Sequence, residues 1–300
     1  MIEAKNLTKR FGSLMAVDHI NAQILDGSVF GLIGTNGAGK STFLRMLSGV
    51  LKPDEGSVTI DGKEVYENVE VKSRFFYISD DQYFFSNSTP GEMAAYYGKI
   101  YERFDQERFH KLMSIFGLDE KRKIRTFSKG MKKQVSVICG VCAGTDYLFC
   151  DETFDGLDPV MRNLVKSMIC QDVLERGATA IITSHSLREL EDTCDQLALL
   201  HQGGIVLESD IQDLKTSLFK VQIAFPCEYD REFFRDIDVV HFSKRGSVAN
   251  LIVRGDREET AARLQRMQPS VLDILPLTLE EVVTYEMEAL GYAFGDLLPQ

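Results

Sequence analysis

A chain of 300 residues, 44% hydrophobic and 26% charged, has the composition of an ordinary globular protein and the length for two hydrophobic cores. Its net charge of −11 argues against a nucleic-acid partner, although a local basic stretch runs from Lys121 to Lys133. It contains no run of eighteen apolar residues and opens MIEAKNLTKR, so neither a membrane span nor a signal peptide is expected. The six cysteines (139, 142, 150, 170, 194 and 227) lie mostly in apolar segments and are expected to be reduced, cytosolic thiols. Cys139 and Cys142 form a CxxC, but within a helix-like run and without a second pair at zinc spacing, so no metal is expected there.

The opening reads as β structure. LMAVDHINAQI (14–24) alternates as a strand, and VTIDGKEV (58–65) reads as a hairpin with Asp61-Gly62 as its two-residue turn. Between them the apolar run VFGLI (29–33) leads into a glycine-rich loop and a helix from Lys40 to Leu47. The loop, GTNGAGKST (34–42), fits G-x-x-x-x-G-K-[ST]. Gly34, Gly37 and Gly39 let the backbone N–H groups of the segment, including Thr35, Asn36 and Ala38, point at phosphates. Lys40 reaches the outer phosphate oxygens, Ser41 offers a hydroxyl to Mg²⁺, and Thr42 completes the binding segment. The motif predicts a bound nucleoside triphosphate.

From about 88 to 145 three helical patterns follow: PGEMAAYYGKIYERF, QERFHKLMSIFGL and MKKQVSVICGVCAG. The runs YLFC (147–150) and ATAIITS (178–184) then suit buried parallel strands, with a helix, VMRNLVKSMICQDVLER, between them. QLALLHQGGIVLES reads as two strands around a Gly-Gly turn. The pattern to this point is an α/β core holding a helical insert. From about Leu214 it restarts, with strands at LFKVQIAF and VANLIVRG, helices at REETAARLQRM and TLEEVVTYEMEAL, and VLDILP between. That is a small α+β appendage with no catalytic constellation of its own.

Three side chains stand where strands end. In YLFCDET, Asp151 is placed to hold Mg²⁺ and its water shell, and Glu152 to take a proton from an attacking water. His185 closes AIITSH, where parallel strands would bring it beside Glu152 and the γ-phosphate. His19, His110, His201 and His241 sit in no such place and read as structural or exposed.

A phosphate loop, the Ser-x-Gly of TFSKGMKKQ at a helix start, Asp-Glu, DGLDP and a histidine, in that order over about residues 1–212, resemble the ATPase subunit of ATP-binding cassette (ABC) transporters. The resemblance implies a P-loop NTPase α/β core with an N-terminal antiparallel β subdomain and a helical insert (about 88–145), followed by a small C-terminal α+β domain from 213 to 300. It implies ATP and Mg²⁺ as ligands, and a second ATPase subunit, identical or different, whose phosphate loop faces Ser128 and Gly130 of this one. Phe11 stands where the family stacks an aromatic ring on adenine, and Asp158 matches the aspartate of the loop along the dimer seam. Phe127, Lys129 and Met131 depart from the family's Leu-Ser-Gly-Gly-Gln signature, and Thr153 stands where proline is frequent. The family's metal-sensing glutamine falls in FFYISDDQYFF, where Asp80 takes its position and Gln82 follows two residues late; either could reach the metal.

The aromatic segment QYFFSNSTPGEMAAYYGKIY corresponds to the family's groove for a helix of an integral membrane permease, which would place the protein at the cytoplasmic face of the membrane. The tail LDILPLTLEEVVTYEMEALGY resembles that of ABC-2-type exporter subunits. Importer ATPases and soluble, non-transport ABC ATPases share the cassette motifs and are the alternatives.

Overall fold

The computed structural model describes residues 1–292. The chain divides into two compact units, one from Met1 to Glu208 and one from Ser209 onward, a few residues before the boundary read at 212.

The first unit contains two sheets. Strands β1 (Ile2–Phe11), β2 (Leu14–Ile24), β4 (Glu55–Ile60) and β5 (Lys63–Glu64) form an antiparallel sheet in the order β2-β1-β4-β5. Asp61 and Gly62 make the β4–β5 turn with φ of 51° and 76°. Both positive values match a type I′ turn and the right-handed twist of its strands. Strand β3 (Val29–Ile33) belongs to the second sheet and feeds helix α1 (Lys40–Leu47). Beyond the one-turn helix α2 (Val69–Lys72) comes strand β6 (Phe75–Ile78), then α3 (Pro90–Ile100), α4 (Gln106–Ile115) and α5 (Lys129–Cys142). The three longer helices fill the interval expected of the helical insert.

Strand β7 (Tyr147–Cys150), helix α6 (Pro159–Arg176), strand β8 (Thr179–Ser184), the short α7 (Leu187–Leu190), β9 (Gln196–His201) and β10 (Gly204–Asp210) complete this part. The second sheet has the order β10-β9-β3-β8-β7-β6, and its pairings from β9 through β6 are parallel. Every residue of β3, β7 and β8 is buried, the physical reason those strands read as continuous apolar runs. A common core joins Ile2 and Leu7 of β1, Phe30 and Leu32 of β3, and Phe43, Leu44 and Leu47 of α1. The helix that carries Lys40 is thereby fixed by its apolar face. One local reading is corrected: Gln202 and Gly203, not two glycines, make the β9–β10 turn, with φ of 48° and 84°.

The second unit begins with α8 (Ile211–Ser217) and β11 (Leu218–Ala224), followed by β12 (Val239–Arg245), β13 (Val248–Arg254), α9 (Arg257–Arg266), β14 (Val271–Pro276) and α10 (Leu279–Ala289). Its sheet is antiparallel in the order β12-β13-β11-β14, over a core of its own that includes Val221, Phe234, Leu251 and Leu264. The expected end of this domain at residue 300 lies outside the described residues. The Leu-Thr-Leu-Glu-Glu-Val element has a local physical account. Thr278 caps α10 by accepting from the Glu281 N–H, while the Glu281 carboxylate accepts from the Thr278 N–H, a capping box. Leu277 and Val282 are buried on either side of that cap. T278A should therefore cost α10 about 1 kcal/mol and raise the exchange of its amide hydrogens roughly fivefold. Exchange unchanged in α10 would contradict this account of the element.

Candidate functional site

Parallel registry builds the site. Ile33 pairs with Ser184, Ile182 with Cys150, and Cys150 with Ile78, so β3, β8, β7 and β6 end at nearly the same level. The residues that follow are Gly34, His185, Asp151-Glu152 and Ser79-Asp80. One end of the sheet thus receives every strand-end side chain singled out in the sequence, the usual location of ligands in open α/β sheets.

The loop 34–39 wraps back to start α1 at Lys40. Its shape depends on two glycines that no other residue could replace without displacement. A Cβ on Gly34 would lie 2.4 Å from the Leu200 carbonyl oxygen, and one on Gly39 2.2 Å from that of Ala16. Gly39 is also the N-cap of α1 with φ 107°, a left-handed conformation. Ala38 N–H donates to Thr35 O, and Gly203 N–H donates to Ala38 O, bracing the loop against the β9–β10 turn. The first turn of α1 contains no acidic side chain, leaving its N–H end open to an anion. Lys40 is only 5% exposed; its Nζ donates to Gly34 O (2.8 Å) and Thr35 O (3.2 Å) and pairs with Glu152 Oε1 (3.0 Å).

Asp151 is buried at the end of β7. Its Oδ1 accepts from Ser41 Oγ and Thr183 Oγ1, both at 2.9 Å, and its Oδ2 from the Tyr77 hydroxyl at 3.1 Å. Burial, reinforced by the Asp151 charge, pushes the Tyr77 pKa well above the ordinary tyrosine range, so the hydroxyl stays a donor. A carboxylate and a hydroxyl so joined form an oxygen donor set of the type Mg²⁺ takes. The residues present fit that ion.

Glu152 has φ 45°, unusual for a residue with a Cβ and costing about 1–3 kcal/mol. Its backbone is held on both sides: its N–H donates to Thr183 Oγ1 (2.9 Å), and its carbonyl accepts from Lys133 Nζ (2.6 Å). The carboxylate thereby lies between Lys40 and His185, whose Nδ1 is 3.2 Å from Glu152 Oε2 and 3.7 Å from Asp155 Oδ1. Glu152, Asp155 and His185 cluster closely enough to surround an ion, but the Lys40 ammonium already supplies a cation to Glu152.

A cleft of about 450 Å³ is lined by Phe11, Lys40, Ser41, Asp80, Glu152 and Asp155, among others. Phe11 is half exposed at its edge. Asp80 reaches this cleft, with Oδ1 3.1 Å from Lys133 Nζ and 3.8 Å from Lys129 Nζ. Gln82 instead donates its amide to Ser79 O and Asp80 O within its own loop. Ser128 caps α5 and is exposed, its Oγ accepting from Met131 N–H. Gly130 lies close to the loop before α6, since a Cβ there would be 3.1 Å from Gly156 O. Asp158 caps α6, accepting from the N–H groups of Val160 and Met161. Neither Ser128 nor Asp158 lines the cleft of its own chain.

Lys133, Thr183, Tyr77 and Asp155 were not singled out in the sequence. For Tyr77 and Thr183 the signal is their position at or near the end of a strand beside Asp151; Lys133 reads as one more charge in a basic stretch. Cys139 and Cys142 are free and buried on α5. Burial pushes the Cys142 pKa up to about 12 and that of Cys139 further, keeping both as protonated thiols.

The ABC transporter family model matches residues 17–155. The chain is 33% identical over 222 residues to the bacitracin transport ATP-binding protein BcrA of Bacillus licheniformis, covering 72% of this chain and 71% of that one. The chain belongs to the ATP-binding proteins of ABC transporters. It is an ATPase subunit built on the P-loop NTPase α/β fold. The ABC transporter ATP-binding protein YtrB of Bacillus subtilis (strain 168) is 29% identical over 282 residues, covering 94% of this chain and 96% of its own, so that likeness extends into the second unit. A solved ATP-binding subunit of an ABC transporter superposes with a TM-score of 0.66 at 24% identity, covering 72% of this chain and 92% of that one.

The loop geometry makes a direct prediction for this ABC ATPase. G39A should weaken ATP binding by at least tenfold, because the new Cβ must displace either Ala16 or the loop itself. Nucleotide titration of the purified variant checks this, and unaltered affinity would contradict the claim that the loop's path requires glycine.

Proposed function

We propose that this subunit binds MgATP in the cleft beside Lys40, closes on a second ATPase subunit, and drives an exporter. The observation that carries the reading is the meeting of Lys40, Ser41, Asp151, Glu152 and His185 at one end of the parallel sheet. In this reading the Lys40 ammonium exchanges loop carbonyls for the outer phosphate oxygens, and the 34–42 N–H groups receive the remaining phosphate charge. Ser41 and Asp151 would hold Mg²⁺, which neutralises phosphate charge when bound. Glu152 accepts the proton of the attacking water, and His185, within hydrogen-bond reach of it, holds the γ-phosphate and orients that water. Phe11 offers its exposed ring to the adenine. Asp80, rather than Gln82, is the residue at the metal edge of the cleft.

Ser128 and Gly130 are placed to act on a second subunit. An exposed hydroxyl at a helix N-terminus is a donor site for phosphate, and it lies outside the lining of the cleft that holds Lys40 in its own chain. Two identical chains facing each other head to tail would each complete the other's site, with Asp158 in the loop along the seam.

A membrane permease would engage the aromatic surface formed by the loop after β6 and the first helix of the insert, α3. Tyr83, Phe85 and Tyr96 are exposed (79%, 45% and 41%) and in ring contact, with Phe85 and Tyr96 centroids 4.8 Å apart. Tyr97 continues the row inward to the buried Phe76. Exposed rings on a rigid base suit an apolar partner helix. Among the described residues no helix is long and apolar enough to cross a membrane, so the membrane part would come from that partner, at the cytoplasmic face. Export is favoured by the bacitracin transport relative and by the tail that resembles ABC-2-type subunits.

Two variants test the chemistry and the pairing. E152Q should retain MgATP binding while turnover falls at least 100-fold. S128R should bind MgATP in its own cleft yet lose turnover, because the long side chain blocks the partner's site. Steady-state phosphate release checks both; normal turnover in E152Q would refute Glu152 as base, and normal turnover in S128R would refute the trans-acting role.

A further inference from the structure

Lys133 is wholly buried beside the site: its exposure is 0%, although lysine is rarely buried without a partner. It lies on α5, one turn beyond Lys129 and close to the Ser128 cap. Its ammonium makes two bonds that join separate parts of the site. One goes to Asp80 Oδ1 at 3.1 Å, in the loop after β6; the other, short and charge-assisted, goes to the Glu152 carbonyl at 2.6 Å, after β7. Helix α5 itself lies directly on β6, since a Cβ on Gly140 would be 3.0 Å from Ile78 Cδ1 and 3.1 Å from Phe76 Cδ1.

We propose that Lys133 is the positioning residue of the hydrolytic base: it holds the Glu152 peptide in its left-handed conformation and ties it to Asp80 and to the helix that Ser128 begins. The proposal rests on the reading of Glu152 as base. At φ 45° the residue is away from the backbone regions a glutamate prefers, and something must hold it there. The Thr183 hydroxyl fixes the N–H side, and on the carbonyl side the Asp155 N–H contributes only a longer bond of 3.2 Å. Without the Lys133 ammonium the peptide is free to turn, and the carboxylate swings out from between Lys40 and His185. Asp80 makes the arrangement possible by balancing the buried charge. Its carboxylate also faces Lys129 in the first turn of α5, where no acidic residue of the helix itself complements the dipole. Displacement of α5 by a facing subunit would therefore be felt at Glu152 through one side chain.

The test compares K133M, which keeps the bulk and removes the donor, with K133Q, whose amide can still donate to the Glu152 carbonyl. In the full chain, K133M should lower kcat about 10- to 100-fold, the loss expected from a misplacement near 1 Å, with KM for MgATP and the affinity for a methylanthraniloyl-ATP probe within twofold of the parent. K133Q should recover kcat to within about threefold. A side chain that only fills the core would give K133M and K133Q the same turnover. If K133M does not fold, D80N/K133M, which leaves neither charge unpaired, is read by the same criteria against D80N as its parent, so that any loss at the metal edge of the cleft is common to both. A folded apolar variant with kcat within twofold of the parent overturns the proposal, as does a K133Q no faster than K133M. E152Q measured alongside separates the two readings: its inactivity beside a normal K133M removes only the positioning role, whereas normal turnover in E152Q removes the base itself.

Discussion

Parallel alignment of β3, β8, β7 and β6 is the constraint on which the rest of the molecule depends. Strands β3, β7 and β8 are buried on both faces, so their register is set by packing against helices as well as by their ladder hydrogen bonds. Because they run the same way and stop together, Gly34, His185, Asp151 and Asp80 emerge at one edge although they are far apart in the chain. The antiparallel sheet and α1 share a core with β3 that fixes the start of α1, and hence Lys40. The helical insert adds a second layer of positioning through α5, whose first residue follows Ser128 and whose interior delivers Lys133 to Glu152.

Much of this was legible in the sequence for physical reasons that can be named. Fully buried strands are continuous apolar runs, so VFGLI, YLFC and ATAIITS stood out, and the residues after them followed at once. Asp61-Gly62 was a readable hairpin turn because both residues accept positive φ. The β9–β10 turn was misread because Gln202, which carries φ 48°, has no propensity that announces it. Strand β12 carries a mixed pattern with only Val239 buried, and α2 and α7 are single turns, too short for a helical period to show.

The site was legible where one residue acts through its own type and position, and opaque where it acts through space. Lys40, Asp151, Glu152 and His185 announce themselves from motif and strand end. The proposed preference for Asp80 over Gln82 rests on a contact no motif announces, the Gln82 amide being spent on its own loop. Lys133 looked like one more charge in a basic stretch, since nothing in FSKGMKKQ tells a lysine that faces solvent, such as Lys129, from one that is wholly enclosed. The Leu-Thr-Leu-Glu-Glu-Val element is the reverse case: prominent in sequence, it is accounted for locally as a helix cap between apolar residues.

In the proposed function two chains complete each other's sites around ATP, with Ser128 of one facing the phosphate loop of the other. The most direct measurement is the mass of the purified E152Q protein by light scattering, with and without MgATP. A doubling of mass that requires MgATP is the predicted result, because binding persists while the step that reopens the pair is blocked. A protein that binds ATP yet remains monomeric at every concentration tested would contradict the pairing of identical chains.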